Sequence, residues 1–153
     1  MSYQNEIIKV NSNLLLLAPK MQELVSKAVT ECNEAGYTIE VFEAWRSPER
    51  QSQLYAQGRT TPGKTVTNSY SWYSFHQYGL AVDVAYRIDG KWSWADTLDW
   101  DKPSKIFQNY GFDKPPVFEK AHFQISGGLH VAEARKITQS SGLQALWVSL
   151  DLV

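Results

Sequence analysis

The stretch SFHQYGLAVDVAYRIDGKWSWAD, residues 74–96, decides how the rest of the chain is read. From Leu80 it reads as two strands joined at Asp89-Gly90, a favoured hairpin turn pair. Gly79 permits a tight turn just ahead of the first strand, with His76 before it and Asp83 after it. Both polar side chains then reach one surface, and Ala81 between them leaves clearance for a ligand. Taken alone, a histidine and an aspartate beside a turn are most simply surface hydrogen-bonding groups.

Working outward, Pro19 opens a helix in which Met21, Leu24, Val25, Ala28 and Val29 recur at helical spacing, and Gly36 closes it. YTIEVFEAW (37–45) is rich in β-branched and aromatic residues and reads as a strand. Ser47 and Pro48 begin a helix that Gly58 ends. Residues 59–73 read as a long polar loop with aromatic insertions, a kind of loop that is usually functional or mobile. A helix is expected from about Ser104 to Tyr110, ending at Gly111. KAHFQI (120–125) alternates as a strand, with Ala121, Phe123 and Ile125 on one face and His122 and Gln124 on the other. A last helical region is broken near 140–142. Helices gathered on a small antiparallel sheet make the fold class α+β.

The bulk properties narrow the function. The 153 residues fit one domain, 1–153, and the 43% hydrophobic and 20% charged fractions are those of a folded globular chain. A net charge of −1 supplies no global attraction to nucleic acid or to an anionic membrane. The single cysteine, Cys32, excludes an internal disulfide framework and a multi-cysteine zinc site, and reads as a buried, inert thiol. The N-terminal segment has no signal-peptide pattern, and LLLLA is too short to span a bilayer, so synthesis in the cytoplasm without a membrane anchor is expected.

Two further features change the meaning of the opening stretch. In FEKAHF, His122 lies on the polar strand face and Glu119 lies three residues before it, at the mouth of the strand. In EAWRSPERQ, Arg46 stands where a strand gives way to a helix, and a guanidinium fixed there can hold a carboxylate or an oxyanion through two parallel hydrogen bonds. Catalytic zinc takes three protein ligands from histidine and carboxylate and keeps a fourth position open. His76, Asp83 and His122 supply such a set, with Glu119 as general base and Arg46 as electrostatic partner. His130, at the start of the last helical region, is placed outside the site.

The spacing Ser74-x-His76-x-x-Gly79-x-Ala81-x-Asp83, followed by Glu119-x-x-His122, resembles the zinc signature of the D-Ala-D-Ala carboxypeptidase and dipeptidase group of metallopeptidases. Within that group, RSPERQSQLYAQGRTTPGKTVT most resembles the L-alanyl-D-glutamate endopeptidases of phage endolysins. The resemblance spans about residues 38–125 and implies the Hedgehog/D,D-peptidase-like fold. It implies one Zn²⁺ per chain on His76, Asp83 and His122, Glu119 as the acid/base carboxylate, and Arg46 facing the substrate's carbonyl or carboxylate. Ser74 and Gln51 match positions near the substrate cleft.

The substrate the resemblance implies is the peptidoglycan stem peptide, with the L-Ala–D-Glu bond as the expected point of cleavage. A D,D-carboxypeptidase or dipeptidase is the nearest rival, and a non-catalytic zinc-containing wall-binding module a more distant one. Nucleic acid is not an expected partner. A monomer without a separate wall-binding domain is expected; as a phage lysin it would be made in the host cytoplasm and reach the cell wall and periplasm through a membrane hole made by another protein. Tyr70, Trp72, Tyr73, Trp92 and Trp94 are candidates to wall the cleft, although aromatics at strand spacing more often belong to a core.

Overall fold

This computed structural model describes residues 3–153. Met1 and Ser2, the start of the segment read above as lacking a signal-peptide pattern, lie outside them. Helices α1 (Tyr3–Ile7), α2 (Pro19–Glu34), α3 (Pro48–Ala56), α4 (Asp101–Asn109), α5 (Val131–Ser141) and α6 (Leu143–Ser149) surround strands β1 (Ile39–Glu43), β2 (Ala81–Ile88), β3 (Lys91–Ser93) and β4 (His122–Gln124). The α+β expectation holds.

Strand β2 is the common partner of the antiparallel sheet. β1 runs along one edge of it, with Ile39 opposite Tyr86 and Glu43 opposite Asp83. β3 and β4 share the other edge end to end: Tyr86 to Ile88 pair with β3, and Ala81 to Asp83 pair with β4. The β2–β3 turn is the one expected, with Asp89 at φ 51° and Gly90 at φ 76°. Positive φ at both central residues matches the twist of the flanking strands.

One face of the sheet is packed. Helix α2 lays Met21, Val25, Ala28 and Cys32 against it, all with 0% exposure. Each buried Met or Val side chain of this kind contributes about 1.5–3 kcal/mol. Val82, Val84 and Tyr86 of β2 join this core, and the Phe123 ring stacks on Phe107 of α4 at 4.1 Å. The alternate residues Asp83, Ala85 and Arg87 belong to the opposite face.

The differences from the sequence reading have local causes. Helix α4 starts at Asp101, earlier than expected, because Asp99 Oδ1 accepts from the backbone N–H groups of Asp101 and Lys102 at 3.0 and 3.1 Å. Pro103 then falls in the first turn, where its missing N–H is harmless. β1 is shorter than 37–45 and carries a bulge: Val41 faces Val84, Glu43 faces Asp83, and Phe42 is the extra residue between them. Helix α1 and a 3-10 turn at Leu14–Leu16 were not anticipated.

Helices α5 and α6, separated at Gly142, brace the turn that precedes β2. Trp147 Nε1 donates to the Tyr78 carbonyl at 2.8 Å, and Leu146 is fully buried. From the other side, Ala18 N donates to the Gly79 carbonyl at 3.0 Å. The segment around His76 is therefore held by chain ends remote in sequence.

Candidate metal centre and active site

His76 sits on a 3-10 turn, Phe75–Tyr78, whose geometry is written in its flanking residues. The Ser74 hydroxyl accepts from His76 N at 3.3 Å, and Gln77 Oε1 accepts from Ser74 N at 3.2 Å, a reciprocal cap. Gly79 ends the turn at φ 69°, which lets the chain reverse directly into β2. Asp83 follows on β2, and His122 lies directly opposite it on β4. The two sequence motifs meet as a cross-strand pair.

Ligand atoms of His76, Asp83 and His122 all lie within 4.8 Å of one another. Asp83 Oδ1 is the hub, 3.2 Å from His76 Nε2 and 3.1 Å from His122 Nδ1. Each imidazole has its other nitrogen occupied. His76 Nδ1 donates to the Ala44 carbonyl at 2.8 Å, and His122 Nε2 donates to Gln124 Oε1 at 2.8 Å. Those bonds leave a lone pair on His76 Nε2 and one on His122 Nδ1, both turned toward Asp83. His76 Nε2 is buried and makes no hydrogen bond. An orphaned buried nitrogen beside a carboxylate and a second imidazole fits a divalent transition metal.

Electrostatics favour the ligating forms of His76 and Asp83. Burial holds the His76 imidazole below its ordinary value, against the pull of Asp83. Burial alone would raise the Asp83 carboxyl, but His76 and His122 together hold it well below the usual carboxylate range. For His122, burial pulls downward and the hydrogen bond and charge of Asp83 outweigh it, so the net direction is up.

Arg46 stands behind the hub. Its Nη2 donates to Asp83 Oδ2 at 2.8 Å and to Glu43 Oε1 at 2.7 Å, Nε donates to Glu43 Oε1 at 3.0 Å, and Nη1 donates to Gln51 Oε1 at 3.1 Å. Glu43, only 2% exposed, also accepts from Arg50 Nε. Gln51 is fully buried; it accepts from Gln77 Nε2 at 3.2 Å and donates to the Ser69 carbonyl at 2.7 Å. The structure thus places Gln51 behind the cavity wall and Ser74 on it.

The cavity in front of the hub has a volume of about 410 Å³. Glu43, Arg46, Ser74, His76, Asp83, Glu119 and His122 all line it, so six of the seven residues singled out from sequence converge there or directly on it, with Gln51 at their back. Glu119 ends a short 3-10 turn, Val117–Glu119, and is exposed at the mouth. His130 caps the start of α5 outside the donor cluster and borders an adjoining groove with Tyr73, Gln124 and His122. Of the aromatic candidates, Trp94 lines the cavity and Tyr73 the groove, and all five are exposed rather than core.

Sequence reading assigned no role to Glu43, Gln77, Gln124 or Asp113. Gln124 donates onward to Asp113 Oδ2 at 3.3 Å, so His122 is oriented through a chain of side chains. The signal was present for Gln124, which shares the polar face of its strand with His122. For Glu43 it was an ionisable residue inside an apolar strand.

Comparison with known proteins assigns the chain to a family of peptidases. A model of the family VanY, D-alanyl-D-alanine carboxypeptidase, matches residues 15–126. The chain belongs to that family of peptidases. It is 38% identical over 87 residues to the peptidoglycan L-alanyl-D-glutamate endopeptidase CwlK of Bacillus subtilis (strain 168), a match covering 51% of this chain and 52% of that relative. The matched part is thus about half the length of the curated relative.

Among solved structures, the LD-carboxypeptidase LdcB, described with its peptidoglycan recognition, matches with a TM-score of 0.58 and 19% identity, covering 86% of this chain and 68% of that one. A variant of the vancomycin-resistance D,D-pentapeptidase VanY, solved in complex with Zn(II), matches with a TM-score of 0.55 and 16% identity, covering 91% and 90%. At these identities the structural matches establish the shared fold.

Proposed function

We propose that this chain is a zinc-dependent peptidoglycan peptidase that cleaves the stem peptide at the L-alanyl-D-glutamate bond. The observation that carries the chemistry is the convergence of His76 Nε2, Asp83 Oδ1 and His122 Nδ1, each histidine fixed through its other nitrogen. The choice of bond is supported by the 38% identity to an L-alanyl-D-glutamate endopeptidase.

His76, Asp83 and His122 would hold the zinc, which when bound would supply Lewis-acid activation of a water near neutral pH. Glu119, which lines the cavity with His122, would accept a proton from the attacking water and pass it to the departing amine. Arg46 fixes Asp83 and contributes positive charge toward the oxyanion that forms on the substrate carbonyl. Ser74 contacts the bound peptide from the cavity wall, while Gln51 holds Arg46 and the Ser69 carbonyl from behind.

A D,D-carboxypeptidase activity is the second reading, favoured by the family whose model the chain matches. Digestion of purified peptidoglycan followed by mass spectrometry separates the two. Peptides beginning with D-Glu are the expected product. Release of terminal D-Ala alone would overturn the endopeptidase assignment.

A further inference from the structure

The sheet face that carries Asp83 continues beyond the metal centre into an aromatic surface. Two residues along β2 from Asp83 comes Ala85, and two further comes Arg87, all on one side of the strand. Phe42, lifted by the β1 bulge, and Trp92 and Trp94 close over this row. Phe42 lies edge-on to both indoles, at 5.3 and 4.9 Å, and the indoles stack at 27° to each other with centroids 6.4 Å apart.

Ala85 in this row is fully buried, yet Trp92 and Trp94 remain 37% and 41% exposed. Trp94 is fixed in place by its Nε1–H, which donates to the Val84 carbonyl at 3.1 Å. A polar rim borders the aromatics. The Arg87 guanidinium lies 4.4 Å from the Trp92 ring centroid, and Glu40 approaches Arg87 at 3.7 Å. Phe42 and Trp94 also line the cavity that holds His76, Asp83 and His122, so the surface and the proposed site are continuous.

We infer that Phe42, Trp92 and Trp94 form a saccharide platform that receives the glycan attached to the stem peptide. The exposed indoles offer an apolar face to the axial C–H groups of a pyranose, and the bordering guanidinium and carboxylate bond to its hydroxyl and acetamido groups. The inference rests on the peptidoglycan reading: the L-Ala of a stem peptide is joined to an N-acetylated amino sugar, so an L-alanyl-D-glutamate bond in the cavity brings a sugar against the cavity's edge. A free stem peptide has no group for this surface.

The test uses the zinc-loaded protein and a probe without peptide, the N-acetylglucosamine tetramer. In ¹⁵N-labelled protein, the indole N–H signals of the six tryptophans are followed during titration. Saturable shifts at Trp92 and Trp94, with Trp45 and Trp147 unmoved, are expected. Absence of saturation, shifts centred on other tryptophans, or shifts that follow protein concentration instead of saccharide would overturn the platform.

A second measurement compares Trp92→Ala with the parent on glycan-linked and free stem peptide. The preference for the glycan-linked form is expected to fall about tenfold, through KM. An equal loss on both substrates would mark Trp92 as merely structural. Saccharide binding without any peptide cleavage would sink the peptidase reading and leave the platform standing; cleavage without saccharide binding would do the reverse.

Discussion

The Asp83 carboxylate is divided between two tasks: Oδ1 faces His76 and His122, while Oδ2 accepts a 2.8 Å hydrogen bond from Arg46. Arg46 therefore sets the rotation of the carboxylate about its own axis. Lysine, a single point charge, cannot hold Asp83, Glu43 and Gln51 together. Arg46→Lys is expected to weaken zinc affinity about 10- to 100-fold, as loss of a ligand's supporting hydrogen bond typically does. Competition with a chromogenic chelator measures this directly. Unchanged affinity would show that Asp83 is oriented by its strand alone.

Glu119 lies outside the donor cluster and is the proposed general base. Glu119→Gln keeps the shape of the side chain and removes its basicity. The variant is expected to retain one equivalent of zinc and to lose about 10²- to 10⁴-fold in kcat, the usual contribution of a general base. Parent-like turnover with full zinc occupancy would move the base elsewhere.

Gly79 is required by space as well as by its φ of 69°. A Cβ at this position would lie 3.0 Å from the Leu16 carbonyl oxygen, 3.1 Å from Ala18 N and 3.2 Å from Leu17 Cα, all of them backbone atoms. Gly79→Ala is expected to destabilise the fold by about 1–3 kcal/mol. A lower urea midpoint would accompany reduced zinc retention, because the displaced turn carries His76.

Alkaline pH should unfold the protein through its buried tyrosines. Burial pushes the Tyr78 and Tyr86 hydroxyls up to about 12, and they donate to the carbonyls of Trp72 and Asp99. Above the ordinary tyrosine value of about 10, the unfolded chain releases protons that the folded chain keeps. The unfolded state then binds fewer protons, so stability falls as pH rises from about 10 to about 12. Urea midpoints measured alongside phenolate absorbance check this sign. Cys32, also pushed up to about 12 by burial, should stay unreactive toward a thiol reagent at pH 8 until the protein unfolds.

Much of this was legible because its signals are local. The Asp89-Gly90 turn, the spacing of Met21, Val25 and Ala28, and the alternation of Ala121, Phe123 and Ile125 each depend on near neighbours in sequence. The convergence of His76 and Asp83 was legible because fixed spacing about Gly79 places them together. Glu43 was hidden for a different reason. In a regular strand it would share the face of Val41, and only the bulge at Phe42 turns it toward Asp83. No local pattern announces that slip. The bracing of the His76 turn by Trp147 was equally invisible, since it joins residues 69 positions apart.

The arrangement of β3 and β4 on one edge of β2 also separates two rates of motion. β3 is three residues long, mostly exposed, and tied to β2 at the hairpin end. β4 meets β2 at the opposite end, where Val84 N also bonds to the Ala121 carbonyl and Ile125 N to the Leu80 carbonyl. Amides near Lys91 and Trp92 should exchange with solvent quickly while those of Val82 and Val84 stay protected. The tip of the hairpin can breathe while the far half of the same strand keeps Asp83, and His122 opposite it, still.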